Sequence, residues 1–176
     1  MEDFIREWGY IALFAYSFGG GFVGLVIAGV LAYAGDLNIY ICILVAAVSN
    51  FLGDQFLFTL ARQNKAYAKD MMKKYGRKVA LAHLLMRKYG SLVVFIQKYI
   101  YGIKTLIPLA MGLTKYSGMK FVAFNALAAM LWAIVVGYAS YTAGEYILSS
   151  TEEFKYIGVA IVAAILLTVT YFFKKV

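Results

Sequence analysis

The sequence predicts an all-α integral membrane protein, built as a single membrane domain over residues 1–176. Of its residues 63% are hydrophobic and 15% are charged, whereas soluble domains contain about 45–50% apolar and about 25% charged residues. Its 15 tyrosines and 13 phenylalanines agree with this prediction, because aromatic side chains gather at membrane–water interfaces.

Five apolar segments divide the chain, and a helix needs about 20 apolar residues to cross a bilayer. They lie at 8–33, 38–61, 91–113, 117–147 and 154–173. We expect 38–61, 117–147 and 154–173 to be ordinary spans. The last of these has aromatic residues at both ends and two lysines beyond it, which is typical of an anchored transmembrane helix.

Segment 8–33 contains FGGGFVG in its middle, with glycines at Gly19, Gly20 and Gly21. Glycine lets the backbone leave a helix, and such a break is tolerated in a membrane where it is buried in protein or faces water. One interpretation is a kinked span whose Gly20-xxx-Gly24 spacing packs against a neighbouring helix. The other is a re-entrant hairpin that turns at the glycines, and the sequence leaves both open.

Segment 91–113 can be judged from the positions of the basic residues. The preceding loop 62–90 carries nine of them and is predicted to be cytoplasmic, because cytoplasmic loops collect Lys and Arg. If 91–113 crossed the bilayer, the lysines of the next loop and those at 174–175 would lie outside. A re-entrant hairpin, with Pro108 near its second arm, keeps them all in the cytoplasm and is therefore favoured.

The loop 62–90 also has a helical periodicity of apolar residues between its basic ones. The apolar positions are Met71, Tyr75, Val79, Ala82 and Leu85. This spacing predicts a cytoplasmic amphipathic helix at the membrane surface, with Gly76 as a place where it could break.

Asp54, Lys98 and Lys104 are predicted at or near bilayer depth, where a charge costs about 2.5–3.5 kcal/mol on insertion scales. Two lysines six residues apart indicate an anion site, because the lysine ammonium is a point charge suited to phosphate. A half-helix that begins near Thr105 would add its N-terminal dipole. The alternative is a structural Asp–Lys pair that allows the segment to fold.

Other classes of function have little support in the sequence. The net charge of +8 comes largely from residues that flank apolar segments, so we expect anionic lipid rather than nucleic acid as the partner. With one His, one Cys and no metal-ligand spacing, we expect no metal site, no cofactor and no enzymatic activity.

Two stretches resemble the DedA family, also called SNARE-associated or VTT-domain proteins. The first is GDQFLFTLAR, and the second runs from QKYIYGIKTLIPLAMGL to GYASYTAG over residues 97–144. The matching positions in the second stretch are Lys98, Lys104, Thr105, Pro108, Ala110, Gly112, Phe124, Asn125, Trp132, Gly137, Tyr138 and Gly144. The resemblance covers most of the chain, from about residue 8 to 147.

This resemblance implies paired re-entrant hairpins in an inverted-repeat arrangement. It also implies movement of lipids between leaflets, including undecaprenyl phosphate and phosphatidylethanolamine, and dependence on the proton gradient in several members. The family's essential residues include membrane acids and two arginines in the second hairpin.

The chain departs from this pattern at positions that matter for mechanism. Lys98 and Lys104 stand where the family has arginines, which keeps the charge but loses bidentate phosphate binding. The acid of the family's first hairpin is replaced by Phe22 or a neighbour, so either Asp54 would have to serve alone or the coupling is different.

We therefore expect a multi-pass protein of the cell inner membrane that moves a phosphate-bearing lipid between leaflets. Lys98, Lys104, Thr105 and Asn125 would bind the lipid phosphate, and Asp54 would balance charge or relay a proton. The turns of the two hairpins would be shaped by Gly19, Gly20, Gly21, Pro108 and Gly112. A proton- or cation-coupled small-solute transporter and a non-transporting membrane assembly factor are the alternatives, and a homo-oligomer is left open.

Overall fold

The computed structural model describes residues 2–100 and 102–149, with side chains described for 8–100 and 102–146. Within these residues the chain is helical and contains no strand. Its α-helices are α1 Glu2–Phe18, α2 Phe22–Tyr33, α3 Ile39–Gln63, α4 Lys65–Lys73, α5 Gly76–Tyr89, α6 Val93–Ile96, α7 Leu106–Leu113 and α8 Gly118–Ser149. The predicted span 154–173 lies outside the described residues.

Helices α3 and α8 occupy the segments for which the sequence predicts the spans 38–61 and 117–147. With 25 and 32 residues, they are about 38 and 48 Å long, more than the roughly 30 Å of a hydrocarbon core. The start of α3 is fixed by Asn38, whose side chain accepts hydrogen bonds from the backbone N–H groups of Tyr40 and Ile41. Such an N-cap satisfies donors that a helix start leaves without partners.

Three stretches are long and apolar enough to cross a membrane by length and composition, namely Ile39–Gln63, Gly76–Tyr99 and Gly118–Tyr146. The second overlaps the segment predicted as a cytoplasmic amphipathic helix. It carries Arg87 and Lys88 near its middle, and its regular helix is interrupted at Gly90, which has a φ of +55°. The cytoplasmic position of 62–90 stays a prediction.

Helices α4 and α5 are separate, and the interruption falls at residues 74–75, next to Gly76. Ala68, Met72 and Ala82 are buried in a cluster that includes residues of α7. The apolar side of this pair of helices therefore packs partly against protein, and the basic side chains lie mostly on the opposite, exposed side.

The apolar segment 8–33 is broken between α1 and α2. Gly20 has a φ of +88°, a conformation that side-chain-bearing residues rarely adopt, and Gly21 is extended as the N-cap of α2. The break lies against the middle of α3, because a Cβ added at Gly53 would be 2.2 Å from the Phe18 carbonyl oxygen.

The segment 91–113 is broken between α6 and α7. The chain turns at Gly102, with a φ of +85°, and Thr105 is the residue before α7. Pro108 lies in the first turn of α7, where its missing N–H has no helical acceptor to lose. Gly112 allows α7 to approach α3 closely, since a Cβ there would be 2.4 Å from the Phe58 carbonyl oxygen.

The core consists of two apolar clusters with polar side chains between them along α3. One cluster joins the first half of α3 to α1, α2 and the second half of α8, and the other joins the second half of α3 to α4–α7 and the start of α8. The buried polar side chains between them on α3 are Ser49, Asn50 and Asp54, and Asn125 lies on α8. The fold thus holds a polar layer inside an otherwise apolar bundle.

Candidate functional site

Lys98 lies at the centre of the polar layer. Its ammonium donates to the carboxylate of Asp54 at 2.6 Å, to the side-chain oxygen of Asn125 at 2.8 Å and to that of Asn50 at 2.5 Å. The side chain of Lys98 is fully buried and that of Asp54 is 5% exposed. A lysine ammonium has three donors, so every donor of Lys98 already has an acceptor.

Two further amides orient this cluster. Gln97 donates through Nε2 to the Asp54 carboxylate at 3.1 Å. Asn125 donates through Nδ2 to the Phe51 carbonyl at 3.0 Å, which directs its oxygen towards Lys98. Removing one partner of such a buried pair leaves an uncompensated charge, so the cluster fixes α3, α8 and the broken segment after α6 against one another.

Lys104 is buried to a similar degree, with 7% exposure, but its surroundings differ. Its Nζ has no hydrogen-bond partner among the described residues. It lies 5.2 Å from the ring centroid of Trp132, which is within cation–π distance. The ammonium of Lys104 therefore keeps its hydrogen-bonding capacity unused.

Lys104 lines a cavity of about 210 Å³ between the two broken segments and the start of α5. The described lining residues are Gly19, Gly20, Tyr75, Lys78, Gly102, Lys104, Thr105 and Leu106. They include two lysines, two hydroxyl-bearing residues and three glycines, and no carboxylate. A cavity with this lining favours an anion.

Two glycines of the α1–α2 turn, Gly20 and Gly21, lie where a side chain would be too close to its neighbours. A Cβ added at Gly20 would lie 3.0 Å from both Cδ and Nζ of Lys104. A Cβ at Gly21 would be 2.0 Å from the Tyr16 ring. Gly19 has only an ordinary contact with the Tyr16 carbonyl but lines the cavity. Gly20 therefore allows the Lys104 side chain to lie directly against the turn.

The structure divides the predicted site residues into two groups. Asp54, Lys98 and Asn125 form the polar cluster, while Lys104 and Thr105 line the cavity. Binding of one phosphate by both lysines stays a prediction, and it would require Lys98 to exchange at least one of its three present acceptors. Pro108 and Gly112 are buried in α7 and serve its packing.

Sequence analysis did not single out Asn50, Gln97 or Lys78, and it assigned no role to Trp132. Asn50 could have been found, because it lies four residues before Asp54 and such residues share one face of a helix. Gln97 is the neighbour of Lys98 in the sequence. Lys78 carries no distinguishing signal, because it is one of many basic residues in 62–90.

No group of three or more His, Cys, Asp or Glu side chains that could hold a metal ion occurs among residues 8–100 and 102–146. Cys42, which is buried in α3, forms no disulfide there.

Comparisons with known proteins find similar chains that include membrane proteins. The chain is 26% identical over 147 residues to inner membrane protein YohD of Escherichia coli (strain K12), covering 84% of this chain and 77% of YohD. It is 26% identical over 125 residues to protein DedA of the same strain, covering 68% of this chain and 57% of DedA.

A relative from another bacterium aligns over most of its length. Uncharacterized membrane protein YbfM of Bacillus subtilis (strain 168) is 26% identical over 150 residues, which are 77% of this chain and 90% of YbfM. No solved structure matches the chain. The VTT domain profile matches residues 7–142, which include both broken segments and both buried lysines, and the chain therefore belongs to the VTT domain (DedA) family of membrane proteins.

Proposed function

We propose that the chain moves a phosphate-bearing lipid, such as undecaprenyl phosphate or a phospholipid, between the leaflets of the inner membrane. The observation that carries this proposal is the Lys104 ammonium, which is buried beside a cavity without a hydrogen-bond partner among the described residues. A buried charge without a partner is costly, and a phosphate that enters the cavity would supply the missing acceptors.

Lys98 has a different role in this proposal. Because Asp54, Asn50 and Asn125 accept from all of its donors, Lys98 holds the helices in place while Lys104 binds the ligand. Asp54 is then the group able to exchange a proton if transport is coupled to the proton gradient. Protonation of Asp54 would weaken its bond to Lys98 and release that ammonium towards a second anion contact.

The lengths of the broken helices support re-entrant hairpins. Helices α1 and α2 have 17 and 12 residues, or about 26 and 18 Å, and α7, which follows the turn at Gly102, has 8 residues, or about 12 Å. Each is shorter than the roughly 30 Å of a hydrocarbon core. In both cases a long helix follows, α3 and α8, as an inverted repeat would require.

Lipid movement in liposomes tests this proposal. The full chain is reconstituted, and transfer of a fluorescent phospholipid or of polyprenyl phosphate is followed with and without a proton gradient. Lys104→Gln should slow transfer by more than about tenfold, because a charge-assisted contact is lost. Lys104→Arg keeps the charge and adds bidentate binding, so it should retain transfer.

Lys120→Gln is the matched control, since it removes the same charge from an exposed position on α8 and should change transfer by less than about twofold. Normal lipid transfer by a folded Lys104→Gln variant would reject the proposal. Solute flux that does not require lipid would instead favour the small-solute transporter. If cells depend on the protein but not on Lys104, the assembly factor would be favoured.

A further inference from the structure

The start of helix α5 forms the third wall of the cavity that contains Lys104. Tyr75, the residue before α5, and Lys78, in its first turn, both line the cavity. The other two walls come from the α1–α2 turn, through Gly19 and Gly20, and from the stretch before α7. Helix α5 lies in the segment predicted to be a basic surface helix, to which neither the family pattern nor the lipid proposal gives a ligand-binding role.

The first turn of α5 has an arrangement of charge that is unfavourable without a ligand. The N-terminus of a helix carries a partial positive charge and is stabilised by anions. Here the turn contains Arg77 and Lys78 and no acidic residue, and Tyr75 provides no side-chain cap. The first backbone N–H groups of a helix have no helical acceptor, and no side-chain cap from Tyr75 supplies one here.

Lys78 is brought close to the loop that carries Lys104. A Cβ added at Gly102 would lie 3.4 Å from the Lys78 Nζ, and Gly102 precedes Lys104 by two residues. Lys78 is partly buried, whereas Lys74, four residues earlier, is exposed. The cavity thus brings together a buried ammonium without a hydrogen-bond partner among the described residues, a second lysine and a helix N-terminus.

From these three features we propose that α5 binds the ligand directly, with Lys78 and the N-terminal turn of α5 contacting a phosphate group that Lys104 also binds. The inference deepens the proposed function and rests on it for the identity of the ligand as a lipid. The site itself requires only a phosphate anion, which could be a lipid headgroup or free phosphate. Helix α5 is then part of the binding site rather than a surface anchor.

Binding to the full chain in detergent tests this inference by isothermal titration calorimetry. The probes are inorganic phosphate and dihexanoyl phosphatidic acid, with dihexanoyl phosphatidylcholine as a control for the acyl chains. Lys78→Gln should weaken binding of the phosphate probes by about tenfold, and Lys78→Arg should restore it. Lys74→Gln, which removes an exposed lysine nearby, should change affinity by less than about twofold.

The two phosphate probes distinguish the source of the ligand. If Lys78→Gln weakens both, the site recognises the phosphate group itself, and if it weakens only phosphatidic acid, the site recognises a lipid headgroup. Either result supports the inference. Thermal unfolding without ligand should be similar for Lys78→Gln and Lys74→Gln, which excludes a merely structural effect.

The inference is overturned if Lys78→Gln binds both phosphate probes as the unmodified chain does, or if the unmodified chain binds neither. Failure of this inference can be distinguished from failure of the proposed function. Lipid transfer that depends on Lys104 but not on Lys78 would leave the function intact and remove α5 from the site. Phosphate binding that needs both lysines, without any lipid transfer, would keep the site and reject the function.

Discussion

Two buried lysines, six residues apart, differ in what surrounds them. Lys98 donates to three side-chain oxygens, one of which belongs to a carboxylate. Lys104 faces a cavity and the Trp132 ring, and its Nζ has no hydrogen-bond partner among the described residues. The contrast teaches that equal burial does not indicate equal roles, because a satisfied charge stabilises the fold and an unsatisfied one is available to a ligand.

The largest effect should come from breaking the satisfied pair. Lys98→Met leaves Asp54 charged and buried, so we expect a loss of about 3–5 kcal/mol in the free energy of unfolding. Denaturant unfolding in detergent micelles measures it. The double variant Asp54→Leu with Lys98→Met should recover part of the loss, because no charge remains, although the amides of Asn50 and Asn125 lose their partner. A Lys98→Met variant as stable as the unmodified chain would contradict this prediction.

Alanine substitutions at Gly20 and Gly35 distinguish the effect of backbone strain from the effect of contact with Lys104. Gly20 and Gly35 both have positive φ, +88° and +91°, but a Cβ at Gly35 would meet nothing within 4 Å. Alanine at either position should cost about 1–2 kcal/mol in the free energy of unfolding. Only Gly20→Ala should also reduce binding of phosphatidic acid, because its methyl group displaces the Lys104 ammonium. Equal binding by the two variants would contradict the proposed position of the ligand.

Removing the unsatisfied charge should leave the fold intact. Lys104→Met takes away a buried ammonium that has no hydrogen-bond partner in the described part of the chain, so the free energy of unfolding should stay within about 1 kcal/mol or rise. The measurement is the same denaturant unfolding as for Lys98→Met. A loss as large as that of Lys98→Met would show that Lys104 is structural and would remove the contrast between the two lysines.

The cation–π contact between Lys104 and Trp132 should contribute less to the free energy of unfolding than the Lys98–Asp54 pair does. Trp132→Phe keeps an aromatic ring but weakens the cation–π contact, which is worth about 0.5–2 kcal/mol. A double-mutant cycle with Lys104→Met isolates this contact from the packing change, which both backgrounds share. A coupling free energy indistinguishable from zero would contradict a stabilising contact between Trp132 and Lys104.

The smallest effect is expected at the surface, where Lys73 and Asp70 form a lysine–aspartate pair like the buried pair of Lys98 and Asp54. Lys73 donates to Asp70 at 2.8 Å, and the hydrogen bond and charge of Lys73 lower the pKa of Asp70. A lowered carboxyl pKa contributes stability above the usual Asp value of 3.8, and this contribution is lost as pH falls through the pKa in the folded chain. Because the pair is exposed, Asp70→Asn should leave thermal unfolding near neutral pH unchanged. A clear decrease would contradict that expectation.

Several features of the fold could be predicted from the sequence because they depend on local composition. Segments 38–61 and 117–147 are long and apolar, and α3 and α8 form there. The break at Gly19–Gly21 is expected because glycine lets the backbone leave a helix. The break before Thr105 is expected because the residues around Lys104 are polar. The interruption at residues 74–75, next to Gly76, has the same origin, because glycine is a poor helix former.

The candidate site could be predicted only in part. Asp54, Lys98 and Lys104 were found because a charge inside an apolar segment is conspicuous in the sequence. The sequence does not show that Lys98 pairs with Asp54 while Lys104 lines a cavity. The acceptors Asp54 and Asn125 lie 44 and 27 residues from Lys98 along the chain. Lys78 was hidden because its neighbours in the sequence are also basic.

The sequence by itself determined that the chain is an all-helical membrane protein of the VTT domain family, with charges inside its apolar segments and glycines where its helices break. These properties follow from composition and local spacing. Only the tertiary structure decided that Lys98 has all its acceptors and that Lys104 faces a cavity. The physical reason is that hydrogen bonds and burial depend on groups brought together from distant helices, and such proximity is set by packing.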